Sequence, residues 1–269
     1  MGEATDLGKR ANTFVATAPP VFVFAERRRH SQEQPLFTHV LDLTHTVVEQ
    51  APVFTENERF AACTLATHSE EGYFAREISI AEHFGTHIDA PAHMADGGWT
   101  VDEIPPERLV RPMAVVDVSA NASVNADYLV SVDDLAAWEK MHGQIPPGTL
   151  VLARTGWDLY WPSPAAYCNT DAGGAMHFPG YSLDAAKFLV EDRAAVGVGI
   201  DTLSVDAGTA TGFPVHRYCA ERSVYHVENV ANLAAAPAWG ALAIVAPPKF
   251  SGGSGAPVRI LALVTQTAS

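Results

Sequence analysis

The sequence has few basic side chains, few cysteines and no long apolar run. Lysine and arginine together number 17, against 31 aspartates and glutamates, which gives a formal net charge of −14. Because a nucleic-acid site needs a basic face, this balance excludes nucleic acid as an expected partner. It also argues against binding to anionic membrane surfaces. The three arginines at 27–29 form the only basic cluster, and a solvated turn accounts for them.

The cysteines Cys63, Cys168 and Cys219 are odd in number and widely separated. No Cys-x-x-Cys spacing occurs, so we expect no disulfide framework, and a reducing, cytoplasmic compartment fits. The amino-terminal region lacks the pattern of a signal peptide. No apolar run approaches the ~20 residues needed to span a bilayer. No GxGxxG fingerprint precedes a predicted helix, so no dinucleotide cofactor is expected.

Against these absences stands a dense cluster of polar side chains in residues 83–94, which read HFGTHIDAPAHM. Gly85 and Pro91 disfavour a helix, so we predict an extended segment whose alternate side chains share one face. The residues on that face are His83, Gly85, His87, Asp89, Pro91 and His93. The opposite face is apolar or small and suits packing on a core.

The residue types on that face are those of a catalytic metal site. Imidazole nitrogen and carboxylate oxygen are ordinary ligands of zinc, manganese and iron. His83, His87 and Asp89 supply three ligands, and a catalytic site keeps a further position for water, whose pKa the metal lowers. His93 is the candidate general acid/base, because an imidazole titrates near neutral pH. A single histidine is usually structural, but three on one face with an aspartate between them favour a metal site.

A second group of possible ligands lies later, in residues 213–230. His226 and Glu228 alternate on a predicted strand and therefore share a face. His216 precedes them across a short helical segment or turn. Spacing alone leaves a structural role open for either histidine.

The pattern His-x-Gly-Thr-His-x-Asp-x-Pro-x-His resembles the signature of the cyclase-type metal hydrolases, which include isatin hydrolase, bacterial kynurenine formamidase and polyketide cyclases. The resemblance extends over about residues 40–265. It implies that His83, His87 and Asp89 bind the metal and that His93 is the catalytic histidine.

The resemblance leaves the number of metal ions open. In the formamidase branch a second metal shares the aspartate and takes a later histidine and glutamate, and the positions that match are His216 and Glu228. The isatin hydrolase branch works with one manganese. The implied cofactor is therefore a divalent metal, Mn²⁺ or Zn²⁺, with one or two ions per chain.

Apolar strands that alternate with helical patterns predict a single α/β domain. The strands are expected at 39–46, 73–80, 114–118, 149–155, 194–200, 224–228, 240–246 and 259–264. Helices are expected to begin after Ser131 and after Ser182, each of which can cap a helix. The resemblance sharpens this fold to a barrel-like mixed central β-sheet flanked by helices, commonly in a homodimer. Residues 1–35 are predicted to form an N-terminal arm and 36–269 the hydrolase domain.

The expected reaction is hydrolysis of a cyclic amide such as isatin, since the long amino-terminal region favours that branch of the family. The alternatives are an arylformamidase acting on N-formylkynurenine, a lactone or imide hydrolase, a polyketide ring cyclase, and a non-catalytic metal-binding protein. Phe84, Trp99 and Phe213 are candidates for stacking on a flat substrate. Ser204 follows an apolar strand and is a candidate substrate contact, because ligands commonly bind beyond the carboxyl ends of strands.

Overall fold

The computed structural model describes residues 37–265, which hold thirteen strands. The strands are β1 (Phe37–Asp42), β2 (Phe60–Ala66), β3 (Ala75–Ile80), β4 (His87–Asp89), β5 (Val110–Asp117), β6 (Leu129–Val130), β7 (Leu150–Arg154), β8 (Gly180–Tyr181), β9 (Gly197–Ile200), β10 (Tyr225–Glu228), β11 (Trp239–Ala246), β12 (Gly255–Pro257) and β13 (Arg259–Thr265). Nine of them form one sheet in the order β1-β13-β11-β5-β7-β9-β10-β4-β12. The strands β2 and β3 form a separate hairpin, and β6 pairs with β8.

The large sheet is mixed. Its central strands β5, β7, β9 and β10 pair in parallel. The strands outside this centre, including β4 and β12, pair antiparallel. The sheet curls into a half-barrel within a single domain, which confirms the predicted barrel-like mixed sheet.

The central strands are buried on both faces. Along β5, Met113 and Val115 belong to one apolar cluster, whereas Ala114 and Val116 belong to the cluster on the other face. A parallel strand covered on both sides reads as a continuous apolar run rather than an alternating one. This burial explains the continuous apolar patterns from which the central strands are predicted.

The described residues contain six α-helices and three 3-10 turns. The helices are α1 (Pro106–Leu109), α2 (Ser119–Ala122), α3 (Val132–His142), α4 (Pro164–Cys168), α5 (Leu183–Lys187) and α6 (Pro214–Ala220). The 3-10 turns are Pro91–His93, Trp157–Tyr160 and Leu233–Ala235. Within residues 37–265, no helix is long and apolar enough to cross a membrane.

The two predicted helix starts are confirmed. Ser131 and Asp134 form a capping box at α3, in which the Ser131 Oγ accepts from the Asp134 amide at 3.2 Å and Asp134 accepts from the Ser131 amide at 2.8 Å. The Ser182 Oγ caps α5 by accepting from the Ala185 amide at 3.1 Å. The chain then continues as a π-helical segment, Phe188–Asp192.

The observed strands include four that the sequence does not predict, namely β2, β12 and the two-residue strands β6 and β8. The strand β2 is largely exposed and therefore lacks a buried alternating pattern, and β12 has only three residues. The predicted strand at 39–46 ends early, at Asp42. The predicted N-terminal arm, 1–35, lies outside the described residues.

Candidate metal centre

The segment that carries the first histidines is less extended than predicted. Only His87–Asp89 forms a strand, because Gly85 turns the chain with a φ of +67° and Pro91 begins a 3-10 turn that ends at His93. The expectation of one continuous extended face is therefore wrong outside β4. Glycine adopts this positive φ without a steric penalty because it carries no Cβ.

The predicted ligands His83, His87 and Asp89 nevertheless converge. Their ligand atoms all lie within 4.8 Å of one another. The Asp89 Oδ1 is 2.6 Å from His83 Nδ1 and 3.3 Å from His87 Nε2. His87 and Asp89 are almost wholly buried, and His83 is partly exposed, which is the arrangement of a site that opens to solvent on one side.

Strand pairing brings the later residues to the same place. The antiparallel pairing of β10 with β4 sets Glu228 opposite His87 and His226 opposite Asp89. The Glu228 Oε2 lies 3.3 Å from His87 Nε2, and helix α6 places His216 Nε2 3.0 Å from Glu228 Oε1. The same His216 nitrogen lies 3.3 Å from Asp89 Oδ2. All five predicted ligands, His83, His87, Asp89, His216 and Glu228, thus form one group, called here the metal cluster.

Each histidine of the metal cluster has its other ring nitrogen held by a partner. These partners are Ser254 Oγ for His83 at 2.9 Å, the Gly85 carbonyl for His87 at 2.9 Å, and Asp206 Oδ2 for His216 at 2.7 Å. Such outer hydrogen bonds orient metal-binding imidazoles and select the tautomer that leaves the ligand nitrogen free. Asp206 is itself fixed by the amides of Val215 and His216, at the start of α6.

The charges of the metal cluster fit a divalent cation. Burial by itself raises the pKa of Asp89, but hydrogen bonds from His216, His83 and His87 outweigh it and bring the pKa well below its usual range. Burial likewise lowers the pKa of His87, yet Asp89 and Glu228 raise it well above its ordinary value. The two buried carboxylates therefore favour protonated imidazoles beside them, because the positive charge balances their own. A bound divalent cation supplies that positive charge while the imidazoles stay neutral.

The buried His226 differs from the other histidines of this region. Burial, and then the nearby His216, lower the pKa of His226 to about 4. The sequence places it on the same face as Glu228, but the family resemblance assigns it no role. Its Nδ1 lies 3.9 Å from Asp89 Oδ2.

His93 lies beside the metal cluster. Its ring centroid is 4.0 Å from that of His83 and 6.1 Å from that of His216. Burial lowers the pKa of His93, so its imidazole is neutral near pH 7 and able to accept a proton.

A cavity of about 280 Å³ opens directly onto the metal cluster and His93. Its lining includes the predicted substrate residues Phe213 and Ser204. Phe84 and Trp99 are not among the lining residues. Phe84 is buried against Phe60, with ring centroids 6.1 Å apart, and Trp99 lies against Arg108.

The cavity also has lining residues that the sequence reasoning did not single out. Among these are Phe54, Glu58, Met94, Leu203 and Asn229. Phe54 and Phe213 face each other with ring centroids 5.8 Å apart. Phe54 and Glu58 precede the unpredicted strand β2, so no local motif marks them. Asn229 directly follows Glu228, and only this adjacency to a predicted ligand could have identified it from the sequence.

Comparison with known proteins places the chain in a family and matches its fold. The family model described as "Putative cyclase" matches residues 41–207. The chain belongs to this cyclase family. An isatin hydrolase of Roseibium aggregatum is 35% identical over 239 residues, which cover 84% of this chain and 90% of that protein.

Two further similar proteins represent the two branches of the family, one each. A kynurenine formamidase of Salinibacter ruber is 30% identical over 223 residues, covering 82% of this chain and 95% of the relative. The solved structure of isatin hydrolase A from Ralstonia solanacearum has a TM-score of 0.79 at 36% identity, covering 84% of this chain and 92% of that one. These similarities confirm the resemblance drawn from the signature in residues 83–93.

Proposed function

We propose that this chain is a metal-dependent hydrolase that opens a cyclic amide of the isatin type. The observation that carries the proposal is the convergence of the metal cluster and His93 on one cavity. When bound, a divalent cation polarises a carbonyl and lowers the pKa of water. The 35% identity to an isatin hydrolase supports the choice of substrate.

His93 is the proposed proton carrier. Its neutral imidazole accepts the proton of the water that attacks the amide carbonyl, and the proton passes to the ring nitrogen as the C–N bond breaks. The new C–O bond completes a carboxylic acid, which releases the second proton of the water to solvent and becomes a carboxylate, and the released nitrogen remains on the same molecule as an amine. The half-buried position of His93 beside His83 allows it to reach the cavity without being a ligand itself.

The shape of the cavity favours a small, flat substrate. Its volume of about 280 Å³ lies just below the range of roughly 300–1,000 Å³ for small-molecule sites. Phe54, Leu203 and Phe213 supply apolar lining beside the charged cluster, with the Phe213 ring centroid 5.7 Å from that of His216. Phe213 is proposed to lie against the substrate ring, and Ser204 to contact its polar edge.

The test is a spectrum. Isatin loses its visible absorbance when its ring opens, so the protein reconstituted separately with zinc and with manganese is mixed with isatin and followed optically. We expect a first-order loss of that absorbance, absent in the chelator-treated protein. Absence of change in both metal forms would contradict the substrate assignment.

An arylformamidase is the second candidate. The observation that favours it is the presence of His216 and Glu228 beside Asp89, as the two-metal formamidase arrangement requires, together with the 30% identity to a kynurenine formamidase. Turnover of N-formylkynurenine without turnover of isatin would decide for this candidate.

Manganese or zinc is the proposed metal. The cluster offers imidazole nitrogens and carboxylate oxygens, and no cysteine of the described residues belongs to it. Donors of this kind suit both ions. Elemental analysis of protein purified without added metal, normalised to protein concentration, identifies the ion and its number per chain.

A homodimer is the proposed assembly, and the hairpin of β2 and β3 is the proposed contact. Most residues of both strands are exposed, including Leu65 at 61% and Ile78 at 58%. An isolated two-stranded hairpin is only marginally stable in water. Replacing Leu65 and Ile78 by lysine is expected to convert a dimer to a monomer in light scattering. The matched control is Val124→Lys, at a side chain 87% exposed elsewhere on the surface.

A cytoplasmic location remains the proposed compartment. Cys63, Cys168 and Cys219 are all free thiols. A reducing compartment keeps thiols in this state. Fractionation of the native cells and detection of the chain in the cytoplasmic fraction is the direct test.

A further inference from the structure

Asn229 is a buried polar residue that the proposed reaction does not use. It is 2% exposed and borders the cavity directly after Glu228. Its backbone is left-handed, with a φ of +52°. This conformation is unfavourable for a residue that carries a Cβ, and it persists only where the surrounding contacts hold it. The contacts of Asn229 therefore indicate what the residue does.

The side-chain amide of Asn229 is bonded at both ends. Its Nδ2 donates to the Gly85 carbonyl at 2.8 Å, and its Oδ1 accepts from the Tyr167 hydroxyl at 3.0 Å. The same hydroxyl lies 2.8 Å from the Asp201 carbonyl, and Tyr167 is fully buried. Because a carbonyl oxygen can only accept, the Gly85 carbonyl defines which end of the amide faces it.

Gly85 is the point at which the backbone between His83 and His87 is freest, because glycine has no Cβ. Its carbonyl accepts not only from Asn229 but also from His87 Nδ1, at 2.9 Å. The next residue, Thr86, donates its hydroxyl to the backbone carbonyl of Asn229 at 2.6 Å. Asn229 thus ties two consecutive residues of this turn to the end of β10.

The fixed Gly85 carbonyl has a consequence for the ligand nitrogen of His87. A carbonyl beside Nδ1 places the ring proton on that nitrogen and leaves Nε2 free. That Nε2 lies 3.3 Å from Asp89 Oδ1 and 3.3 Å from Glu228 Oε2, inside the metal cluster.

We infer that Asn229 is a positioning residue for His87: its side-chain amide holds the Gly85 carbonyl, and that carbonyl orients the imidazole for the metal. This inference rests on the proposed metal centre. It assigns a role to a residue outside the metal cluster, to which the signature in residues 83–93 gives none. Asn229 acts through His87 and is not itself a ligand.

Asn232 provides a matched control. It is also a left-handed asparagine, with a φ of +57°, and its Nδ2 donates to the Asp42 carbonyl at 2.8 Å. It lies outside both the metal cluster and the cavity lining. Replacing either asparagine by glycine relieves the same backbone strain and removes one amide–carbonyl hydrogen bond of the same length. Asn229→Gly keeps the backbone carbonyl that accepts from Thr86.

The experiment compares zinc affinities. The full chain is freed of metal by a chelator, and its affinity for zinc is measured by competition with a chromophoric chelator. For Asn229→Gly we expect an affinity about 3–10-fold weaker than that of the wild type, less than the ~10–100-fold that loss of a direct outer partner costs. For Asn232→Gly we expect no change. Denaturant unfolding of the metal-free proteins measures stability separately, because a purely structural Asn229 would lower stability and leave zinc affinity unchanged.

Three results would overturn the inference: no zinc binding by the wild type, an unchanged affinity in Asn229→Gly, or equal weakening in both variants. The affinity is measured without substrate and is independent of the reaction. If the wild type opens isatin and Asn229→Gly binds zinc as tightly as the wild type does, the proposed function stands while this inference fails. If Asn229→Gly binds zinc more weakly but the wild type leaves isatin unchanged, the inference stands and the substrate assignment fails.

A second measurement, on the wild type, keeps the test decisive if Asn229→Gly does not fold. By linkage, a hydrogen bond that strengthens zinc binding is itself strengthened when zinc binds. In protein labelled with ¹⁵N-asparagine, zinc is therefore expected to slow the exchange of the Asn229 side-chain amide protons with water by about the same 3–10-fold factor. The exchange of the Asn232 amide protons is expected to stay unchanged. Equal exchange at Asn229 with and without zinc would contradict the positioning role.

Discussion

Buried carboxylates end three strands of the same sheet, and their surroundings differ. Asp201 directly follows β9, whereas Glu228 ends the adjacent strand β10 and Asp89 ends β4. All three are nearly inaccessible, at 0%, 4% and 1% exposure respectively. Asp201 accepts hydrogen bonds from the amides of Thr155 and Gly156, at 2.9 and 2.8 Å, and from the Thr155 hydroxyl at 2.6 Å. Asp89 instead faces imidazoles, and Glu228 faces imidazoles and also accepts a hydrogen bond from the Val205 amide at 2.8 Å.

The consequence is that the pKa values of Asp201 and Asp89 shift in opposite directions. Burial raises the pKa of Asp201 to about 6, because its neutral donors compensate a charge incompletely. Hydrogen bonds from three histidines hold the pKa of Asp89 well below its usual range despite burial. Burial alone therefore does not make a carboxylate a metal ligand. The groups around it decide whether a proton or a cation satisfies it.

The largest effect is expected from exchanging each carboxylate for its amide. Asp89→Asn removes the charge shared by His83, His87 and His216, so metal affinity is expected to fall by more than the ~10–100-fold that loss of an outer partner costs. Asp201→Asn leaves the metal cluster intact and keeps its metal. Metal analysis of both purified variants makes the comparison. Equal metal loss in the two variants would show that the carboxylates do not differ as their surroundings indicate.

The next effect separates chemistry from binding. His93→Ala is expected to lower kcat by about 10²–10⁴-fold, the usual contribution of a positioned acid/base, with the metal content unchanged. Steady-state kinetics with isatin and metal analysis on the same sample measure both quantities. Loss of metal in this variant would make His93 a ligand rather than the proton carrier.

The pH profile sharpens the same point. Because burial lowers the pKa of His93, its neutral form persists below the ordinary value of 6.5. The acid limb of kcat/KM is therefore expected below pH 6.5, and a bound cation nearby lowers it further. A limb above pH 6.5 would identify a different proton acceptor.

A smaller effect on metal affinity is expected from changing a residue that is hydrogen-bonded to a ligand. Asp206 holds His216 Nδ1 at 2.7 Å and is fixed by the amides at the start of α6. Asp206→Asn is expected to weaken metal binding by about 10–100-fold without abolishing it. Competition with a chromophoric chelator measures the affinity. An unchanged affinity would show that the helix alone orients His216.

Much of the metal cluster is predictable because its ligands are dense in the sequence. His83, His87 and Asp89 fall within seven positions, so local chain geometry brings them together whatever the exact backbone. The extended segment predicted for this stretch is wrong outside β4, yet the turn at Gly85 still delivers His83 to Asp89. The side chains therefore converge as expected although the secondary structure predicted for the segment is partly wrong.

Residues placed by distant pairing are harder to predict. Whether His216 reaches Asp89 depends on the pairing of β10 with β4 and on the position of α6, which spacing along the chain does not define. The aromatic assignments show the same limit. Phe213 reaches the cavity, whereas Phe84, next to a ligand in sequence, points into the core. Glu58 and Phe54 depend on a hairpin whose exposed strand β2 has no alternating pattern.

The smallest effect is on stability, and it returns to Asp201. Its pKa of about 6 in the folded state exceeds the unfolded value of roughly 3.9. The folded state thus binds the proton more tightly than the unfolded state does. The contribution of this proton to the free energy of unfolding is fully present below pH ~4 and is lost as pH rises through ~6. The loss is about 3 kcal/mol at 1.36 kcal/mol per pKa unit. Asparagine resembles the protonated acid and does not titrate. The stability gap between metal-free wild type and Asp201→Asn should therefore shift by about that amount in favour of the variant between pH 4 and 7. Denaturant unfolding at each pH measures the gap, in which the titration of the metal cluster cancels because both proteins share it. Parallel curves would mean that Asp201 is ionised in the folded state throughout this range, as Asp89 is.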